Sequence, residues 1–310
     1  MAQIILEDLS YAERIKYLEN SKNAVIIRET KIPVRYEIKQ SNKMVVNGQE
    51  LLNAATEQEW LLKEVVRKDN GFVFDIVCTK NEITKYSPAY NEIMNFSQKI
   101  HTTYEHLLLK TDRHGYLVEV VNKKEIADKW EQLKTYELAL FFAGTEKETV
   151  ESALDKEFQD PLPGLMSDWL YILFFIPNHS LRWKQEIRGK AYKFNLIKTK
   201  SIFLQEIGVQ LQNNETVKEI TDDKILLQQD SSLIEEQKLF GDTEVEKSYK
   251  KRYRELFGKD FEHQFQHHAD YTLDRKTGLV KNCRAIVSER LQDQLYTEKL
   301  YEITQKTTEI

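Results

Sequence analysis

The segment FEHQFQHHADYTLDRKTGLVKN, residues 261 to 282, holds residue types that bind metals or transfer protons. His263, His267 and His268 lie close together in it, among acidic residues. On a helix, His263 and His267 would be one turn apart and could bind one zinc ion. On a strand they would be about 13 Å apart, whereas zinc–nitrogen bonds measure about 2.0–2.1 Å. The secondary structure of the segment therefore decides whether one ion could bind both.

Apolar and polar residues alternate through this segment without a break. One face of a strand would carry Phe261, His263, Phe265, His267, Ala269, Tyr271 and Leu273. Such alternation is typical of a half-buried strand, so we predict a strand over 261–273 and no metal bound between its own histidines. A metal site completed by distant residues and a pH-responsive histidine are the alternatives.

Other signatures of catalysis are missing from the sequence. It has no G-x-S-x-G elbow, no P-loop and no dinucleotide-binding glycine motif. Cys78 and Cys283 are its only cysteines, which allows one disulfide but no thiolate zinc cluster. We predict a protein that is not an enzyme, with no catalytic residues, no metal and no cofactor. An active site assembled from distant strands is the alternative.

The composition is that of a globular protein. The 310 residues are 41% hydrophobic and 31% charged, and 45 basic against 50 acidic residues give a net charge of −5. This balance provides no general attraction to nucleic acid, so we predict no nucleic-acid partner. The start of the chain lacks a signal-peptide pattern, and the most apolar stretch, 169–177, is about half a membrane span. We therefore predict a cytoplasmic protein without a transmembrane segment.

Turn and capping signals divide the chain into strands, then helices, then strands. The clearest hairpin turns at Asp69-Asn70-Gly71, and a second turns at His114-Gly115. Helices are predicted over about 88–100, 122–142, 145–158, 165–176 and 245–258. This order of elements, without strict strand–helix alternation, predicts an α+β fold with an antiparallel sheet.

Three segments carry a resemblance to a known class of proteins: the hairpin LDRKTGLVKN, the strand GYLVEVVN and the helix KKEIADKWEQLK. Together with the element order, they resemble the large half-barrel proteins of the lipoprotein-carrier kind, over roughly residues 34–142 and 181–303. The resemblance implies a large curved antiparallel β-sheet, half-barrel-like, which surrounds helices and leaves a hydrophobic groove. It also implies carriage or sensing of a hydrophobic ligand, and it transfers no functional residue.

The hairpin that turns at His114-Gly115 and the hairpin LDRKTGLVKN share an Asp-Arg pair before a glycine, at 112–115 and at 274–278. Similar turn chemistry explains this echo, and a duplicated half is the alternative. We predict an N-terminal helical arm over residues 1–30 and a single α+β domain over 31–310, with a helical insertion at about 88–176.

The arm and the basic helix KSYKKRYR are suited to docking a protein partner. The partner-binding candidates are Ile4, Ile5, Leu6, Ile15, Leu18, Lys250, Lys251, Arg252 and Arg254. A solvated helix face is the plain alternative for the basic residues. Our main hypothesis is a non-enzymatic protein-interaction or assembly component, acting with protein partners in a multi-subunit assembly.

The segment LMSDWLYILFFI is apolar around most of its circumference, so it packs in a core or against a partner. If the central helices fill the curved sheet, the aromatic side chains of this segment pack in the core. If the helices move aside, the same side chains line a groove. The ligand-groove candidates are Trp169, Tyr171, Phe174 and Phe175. The alternative hypothesis is therefore a hydrophobic-ligand or lipid-binding half-barrel protein.

Overall fold

A computed structural model describes most of the chain. The described residues are 29–69, 71–112, 115–136, 141, 144–176, 192–203, 207–234, 247, 251 and 262–306. The predicted arm up to residue 28 lies outside them, as does the predicted helix over 245–258 apart from Lys247 and Lys251.

One antiparallel sheet forms the frame of the described structure. Its strands are β1 (Val34–Val46), β2 (Gln49–Lys68), β3 (Gly71–Lys85), β4 (His106–Thr111), β5 (Leu117–Val120), β6 (Tyr192–Lys200), β7 (Gly208–Ile220), β8 (Lys224–Leu233), β9 (His263–Asp274), β10 (Val280–Leu291) and β11 (Leu295–Lys306). Their order is β5-β4-β3-β2-β1-β11-β10-β9-β8-β7-β6. The sheet is curved and not closed, so the predicted α+β fold with a large antiparallel sheet is confirmed.

The pairing of β1 with β11 joins the two halves of the sheet. Ile38 of β1 lies opposite Ile303 of β11, and both side chains are fully buried. All other strand pairs are neighbours along the chain. As a result β5 and β6, which the helical region separates in sequence, end the sheet at its two edges.

Tight turns set the register of the hairpins. The β1–β2 turn has Asn47 and Gly48 at φ values of 50° and 75°, which suits an Asn-Gly pair. The predicted hairpin between β2 and β3 is confirmed, with Asp69 at a φ of 53°. At the β9–β10 turn, Asp274 Oδ1 accepts hydrogen bonds from the backbone N–H groups of Lys276 and Thr277, both at 2.8 Å.

The alternation predicted for 261–273 is present in β9. Phe265, His267 and Ala269 are buried, whereas Gln264 and Gln266 are exposed. The strand geometry thus separates the histidines as expected. Within the described ranges, no group of three or more histidine, cysteine or acidic side chains could hold a metal ion.

Among the described residues, five α-helices lie between β3 and β6. They are α1 (Asn91–His101), α2 (Lys123–Tyr136), α3 (Gly144–Gln159), α4 (Leu162–Ser167) and α5 (Trp169–Phe174), with short 3₁₀ turns at Pro88–Tyr90 and Thr102–Tyr104. In the described part of the chain, no helix has both the length and the apolar character needed to cross a membrane.

The prediction of one continuous helix over 165–176 was wrong. Asp168 has an extended backbone, with ψ at 127°, and divides the segment into α4 and α5. Its side chain accepts a hydrogen bond of 2.8 Å from the backbone N–H of Leu170. Asp168 is therefore the N-cap of α5, a role for which aspartate is strongly preferred.

Helix α5 packs against the inner face of the sheet through its aromatic side chains. The ring of Phe174 lies 5.0 Å from that of Tyr36 in β1 and 5.3 Å from that of Trp60 in β2. The ring of Phe175 lies 5.0 Å from that of Phe74 in β3. The helices therefore fill the curved sheet, as in the first of the two arrangements considered for this segment.

Candidate functional site

Helix α4 links the two edges of the sheet. It contacts both edge strands, β5 and β6. At its end, the carbonyl oxygen of Ser167 accepts a hydrogen bond of 3.0 Å from Thr199 Oγ1 in β6. Because an uncovered sheet edge exposes unpaired backbone groups, a covering helix is one way in which proteins protect it. The space between the two edges is thus enclosed by β5, β6 and the helix α4.

A cavity of about 330 Å³ lies in this space, and we call it the edge cavity. This volume is at the small end of the range of about 300–1,000 Å³ typical of ligand sites. Its apolar walls include Leu117, Leu165, Ile172, Phe175 and Ile197.

The polar end of the edge cavity consists of two buried amides. Asn213 of β7 and Gln229 of β8 line the cavity and are only 2% and 5% exposed. Glu215 Oε1 accepts a hydrogen bond from each of them, at 3.1 Å from Asn213 Nδ2 and 2.9 Å from Gln229 Nε2. The cavity therefore has apolar walls and one hydrogen-bonding end.

Two further residues extend this network across the sheet. Ser231 Oγ lies 2.8 Å from Asn213 Oδ1 and 3.1 Å from His267 Nδ1. Because the amide oxygen only accepts, the Ser231 hydroxyl donates to it and accepts from a protonated His267 Nδ1. We call Glu215, Asn213, Ser231 and His267 the polar chain.

Burial controls the protonation of His267. The residue is 2% exposed, and its ring lies 4.7 Å from that of Trp169 in α5. Burial, with a smaller contribution from the neighbouring His268, lowers the pKa of His267 to about 3. The imidazole is therefore neutral in the folded protein at any ordinary pH, in agreement with a proton held on Nδ1 alone.

This lowered pKa makes stability depend on pH. In the unfolded chain the imidazole has a pKa of about 6.5, so below that pH it binds a proton which the folded state excludes. The stability is therefore complete above about pH 6.5 and is lost as pH falls towards the folded-state pKa of about 3. We expect His267 to account for about 2–3 kcal/mol of lost unfolding free energy between about pH 7 and pH 4.5.

Urea unfolding at the two pH values, on the natural protein and on His267→Gln, measures this contribution. Glutamine can still donate to Ser231 but does not titrate, so the variant should lose less stability on acidification by the stated amount. Equal losses in the two proteins would show that His267 is not the titrating group.

The four ligand-groove candidates take different positions. Tyr171 and Phe175 line the edge cavity. Trp169 packs over Phe265 and His267, and Phe174 fills the sheet centre, so neither lines the edge cavity. All four are buried, and their role in ligand binding stays a prediction.

Of the partner-binding candidates, Lys251 alone is among the described residues, and it is exposed. The others lie outside the described residues: Ile4, Ile5, Leu6, Ile15, Leu18, Lys250, Arg252 and Arg254.

Sequence reasoning missed the amide end of the cavity. The available signal was a run of polar residues at inward positions of otherwise alternating strands. On the buried face of β7, Asn213 and Glu215 follow Val209 and Leu211. On the buried face of β8, Gln229 and Ser231 likewise follow two apolar residues. Buried polar residues in such a pattern indicate a hydrogen-bonded network.

A second cavity of about 300 Å³ lies between the helices and β1 to β3. Its lining includes Cys78, Tyr104, Glu157 and Asp168. Burial raises the pKa of the Cys78 thiol to about 11 and raises that of the Tyr104 hydroxyl, which lies 3.4 Å from Glu157 Oε1. Both groups therefore stay protonated at neutral pH and can donate hydrogen bonds, while neither is an activated nucleophile.

Comparison with known proteins finds weakly similar solved structures. No family model and no curated protein matches the sequence. The chain is similar to a solved structure titled "Lipid-protein interactions in lipovitellin", with a TM-score of 0.39 and 8% identity over 89% of this chain and 25% of that one. It is also similar to the dehydratase domain from the CurJ module of curacin polyketide synthase, with a TM-score of 0.10 and 9% identity over 87% of this chain and 75% of that one.

The expected resemblance to a lipid-carrier protein with a large β-sheet is thus found again in the structure, as a weak likeness. This chain spans about a quarter of the lipovitellin chain that it matches.

Proposed function

We propose that the protein binds a small hydrophobic ligand with one polar group in the edge cavity, without chemical conversion. The observation that carries this proposal is the pairing of apolar walls with a single buried polar end, formed by Asn213 and Gln229. Ligand sites in proteins commonly have this composition, in which apolar contact provides affinity and a few polar groups fix orientation.

The rim of the cavity supports this function. Met166 of α4 and Leu196 of β6 line it and are 48% and 53% exposed, although both are large apolar side chains. Apolar side chains exposed beside a cavity provide an entry surface for a ligand of the same character. Burial of an apolar ligand would contribute about 25 cal/mol for each Å² removed from water.

Docking to protein partners and a cytoplasmic location remain predictions from the sequence. The docking hypothesis depends mainly on the arm and the basic helix, and ligand binding in the edge cavity is compatible with both.

A substitution that fills the cavity tests the proposal. Ile172 is half-buried in α5 and lines the cavity, so a tryptophan there would occupy ligand space. We expect Ile172→Trp to weaken binding of the neutral dye N-phenyl-1-naphthylamine by about tenfold or more, which corresponds to at least about 1.4 kcal/mol. Fluorescence titration of the full chain measures this affinity.

The matched control is Ile93→Trp. Ile93 is 58% exposed on α1 and does not line the edge cavity, so the same substitution there should leave the affinity unchanged. Absence of saturable dye binding to the natural protein, or equal effects of the two variants, would contradict ligand binding at this place.

A further inference from the structure

The hydrogen bonds at the polar end of the edge cavity determine the orientation of both amides. Asn213 Nδ2 and Gln229 Nε2 both lie within hydrogen-bond distance of the same atom, Glu215 Oε1. If both amides were turned around, two amide oxygens would face Oε1, and one carboxyl proton could satisfy only one of them. In the structure both nitrogens donate to Glu215, which satisfies both amides without a proton on Oε1.

The orientation of Asn213 is fixed a second time from its other side. Ser231 Oγ lies 2.8 Å from Asn213 Oδ1, and the hydroxyl also bonds to His267 Nδ1. Turning the Asn213 amide would break its bond to Glu215 and place its nitrogen against this hydroxyl. The polar chain thus holds Asn213 in one orientation, whatever a ligand presents to it.

Two hydrogen-bonding positions are then left for a ligand. Gln229 Oε1 accepts no hydrogen bond from the described part of the chain, although the residue is 5% exposed and lines the cavity. The second N–H of the Asn213 amide is likewise not used by any described residue. The polar end therefore offers one acceptor and one donor to a ligand in the cavity.

From this arrangement, and on the basis of the proposed function, we infer that the ligand's polar group is a neutral hydroxyl, not a carboxylate. A hydroxyl donates to Gln229 Oε1 and accepts from the Asn213 N–H, so it satisfies both positions. A carboxylate has no proton to donate, and its negative oxygens would face Gln229 Oε1 close to the Glu215 carboxyl group.

Among the described residues, one cation lines the edge cavity, and it does not change this preference. Lys198 of β6 is exposed at the rim. An ion pair at that exposed position would be screened by water and would add little to the affinity for a carboxylate. A long-chain alcohol is thus the class of ligand that this cavity favours over the fatty acid of equal length.

A pair of ligands with the same chain tests the inference. Displacement of N-phenyl-1-naphthylamine from the full chain by 1-decanol and by decanoate is measured at about pH 8, where the acid is ionised. We expect 1-decanol to bind about tenfold more tightly or better. Equal or tighter binding of decanoate would overturn the hydroxyl inference and leave the proposed function intact, whereas failure of both ligands and of the dye would overturn both.

A substitution at the acceptor locates the source of the preference. Gln229→Met keeps the length of the side chain but removes Oε1, so the advantage of 1-decanol should fall by about fivefold or more. The control is Gln228→Met, whose side chain lies on the opposite face and donates to Asp230. An unchanged advantage in folded Gln229→Met would refute the role of Oε1, and if that variant does not fold, the comparison of ligands on the natural protein still decides the inference.

Discussion

Replacement of Phe174 by alanine is expected to lower the free energy of unfolding by about 3–5 kcal/mol. Phe174 is 6% exposed, and its ring contacts Tyr36, Trp60 and Phe175. Two of these neighbours lie on β1 and β2, near the centre of the sheet. Paired strands cannot move inwards to fill the lost volume, so a cavity would remain and add its own cost to the lost burial.

Chemical unfolding followed by circular dichroism measures this loss. The control is Tyr136→Ala, because Tyr136 is an aromatic residue that is 77% exposed. We expect it to change the unfolding free energy by less than about 0.5 kcal/mol. If Phe174→Ala were as mild as the control, α5 would not be part of the core, and an open groove beneath the helices would become the better description.

The outcome bears on the proposed function because α5 contributes both to the core of the sheet and to the wall of the edge cavity. Phe174 points to the centre of the sheet, while Ile172 and Phe175 of the same segment line the edge cavity. Tight packing of Phe174 would hold the cavity wall in place. The proposed ligand space is then a defined cavity beside the helices, which fill the groove that the resemblance implied.

Elements set by local patterns could be predicted from the sequence. The strand β9 and the hairpin at Asp69 depend on alternation and on turn residues that are neighbours along the chain. The same holds for the antiparallel class of the sheet. Asp168 was a local signal too, since one aspartate within an apolar run is a good N-cap, and it was overlooked because the surrounding hydrophobicity favoured a continuous helix.

The site could not be predicted in this way because it depends on contacts between distant parts of the chain. The edge cavity exists because β1 pairs with β11, which leaves β5 and β6 as edges that α4 then links. The polar chain joins side chains from β7, β8 and β9. The spacing of residues along the sequence does not show which side chains of different strands form hydrogen bonds with one another. Polar residues at inward strand positions indicate only that a hydrogen-bonded network must form.

The structure also places a carboxyl group at the centre of a second buried network. Glu289 of β10 is fully buried. Its Oε1 lies 2.6 Å from Ser201 Oγ and 2.9 Å from His263 Nε2, and its Oε2 accepts from the backbone N–H groups of Ile202 and Phe203. Residues 201–203 directly follow the edge strand β6, so Glu289 attaches the end of that strand to the middle of the sheet.

We expect Glu289→Gln to lower the free energy of unfolding by about 2–3 kcal/mol. Glutamine offers one amide oxygen where the carboxyl group offers two. Only one of the two pairs of partners therefore keeps its acceptor, and the other pair must rearrange around the amide N–H groups in a fully buried site. The control is Glu302→Gln, at a partly exposed position of β11 where the side chain pairs with Arg284. It should cost less than about 0.5 kcal/mol. Chemical unfolding compares the variants, and hydrogen exchange of the Ile202 and Phe203 amides should accelerate in Glu289→Gln alone. Equal stability of the two variants, with unchanged exchange at these amides, would show that Glu289 does not hold the end of β6.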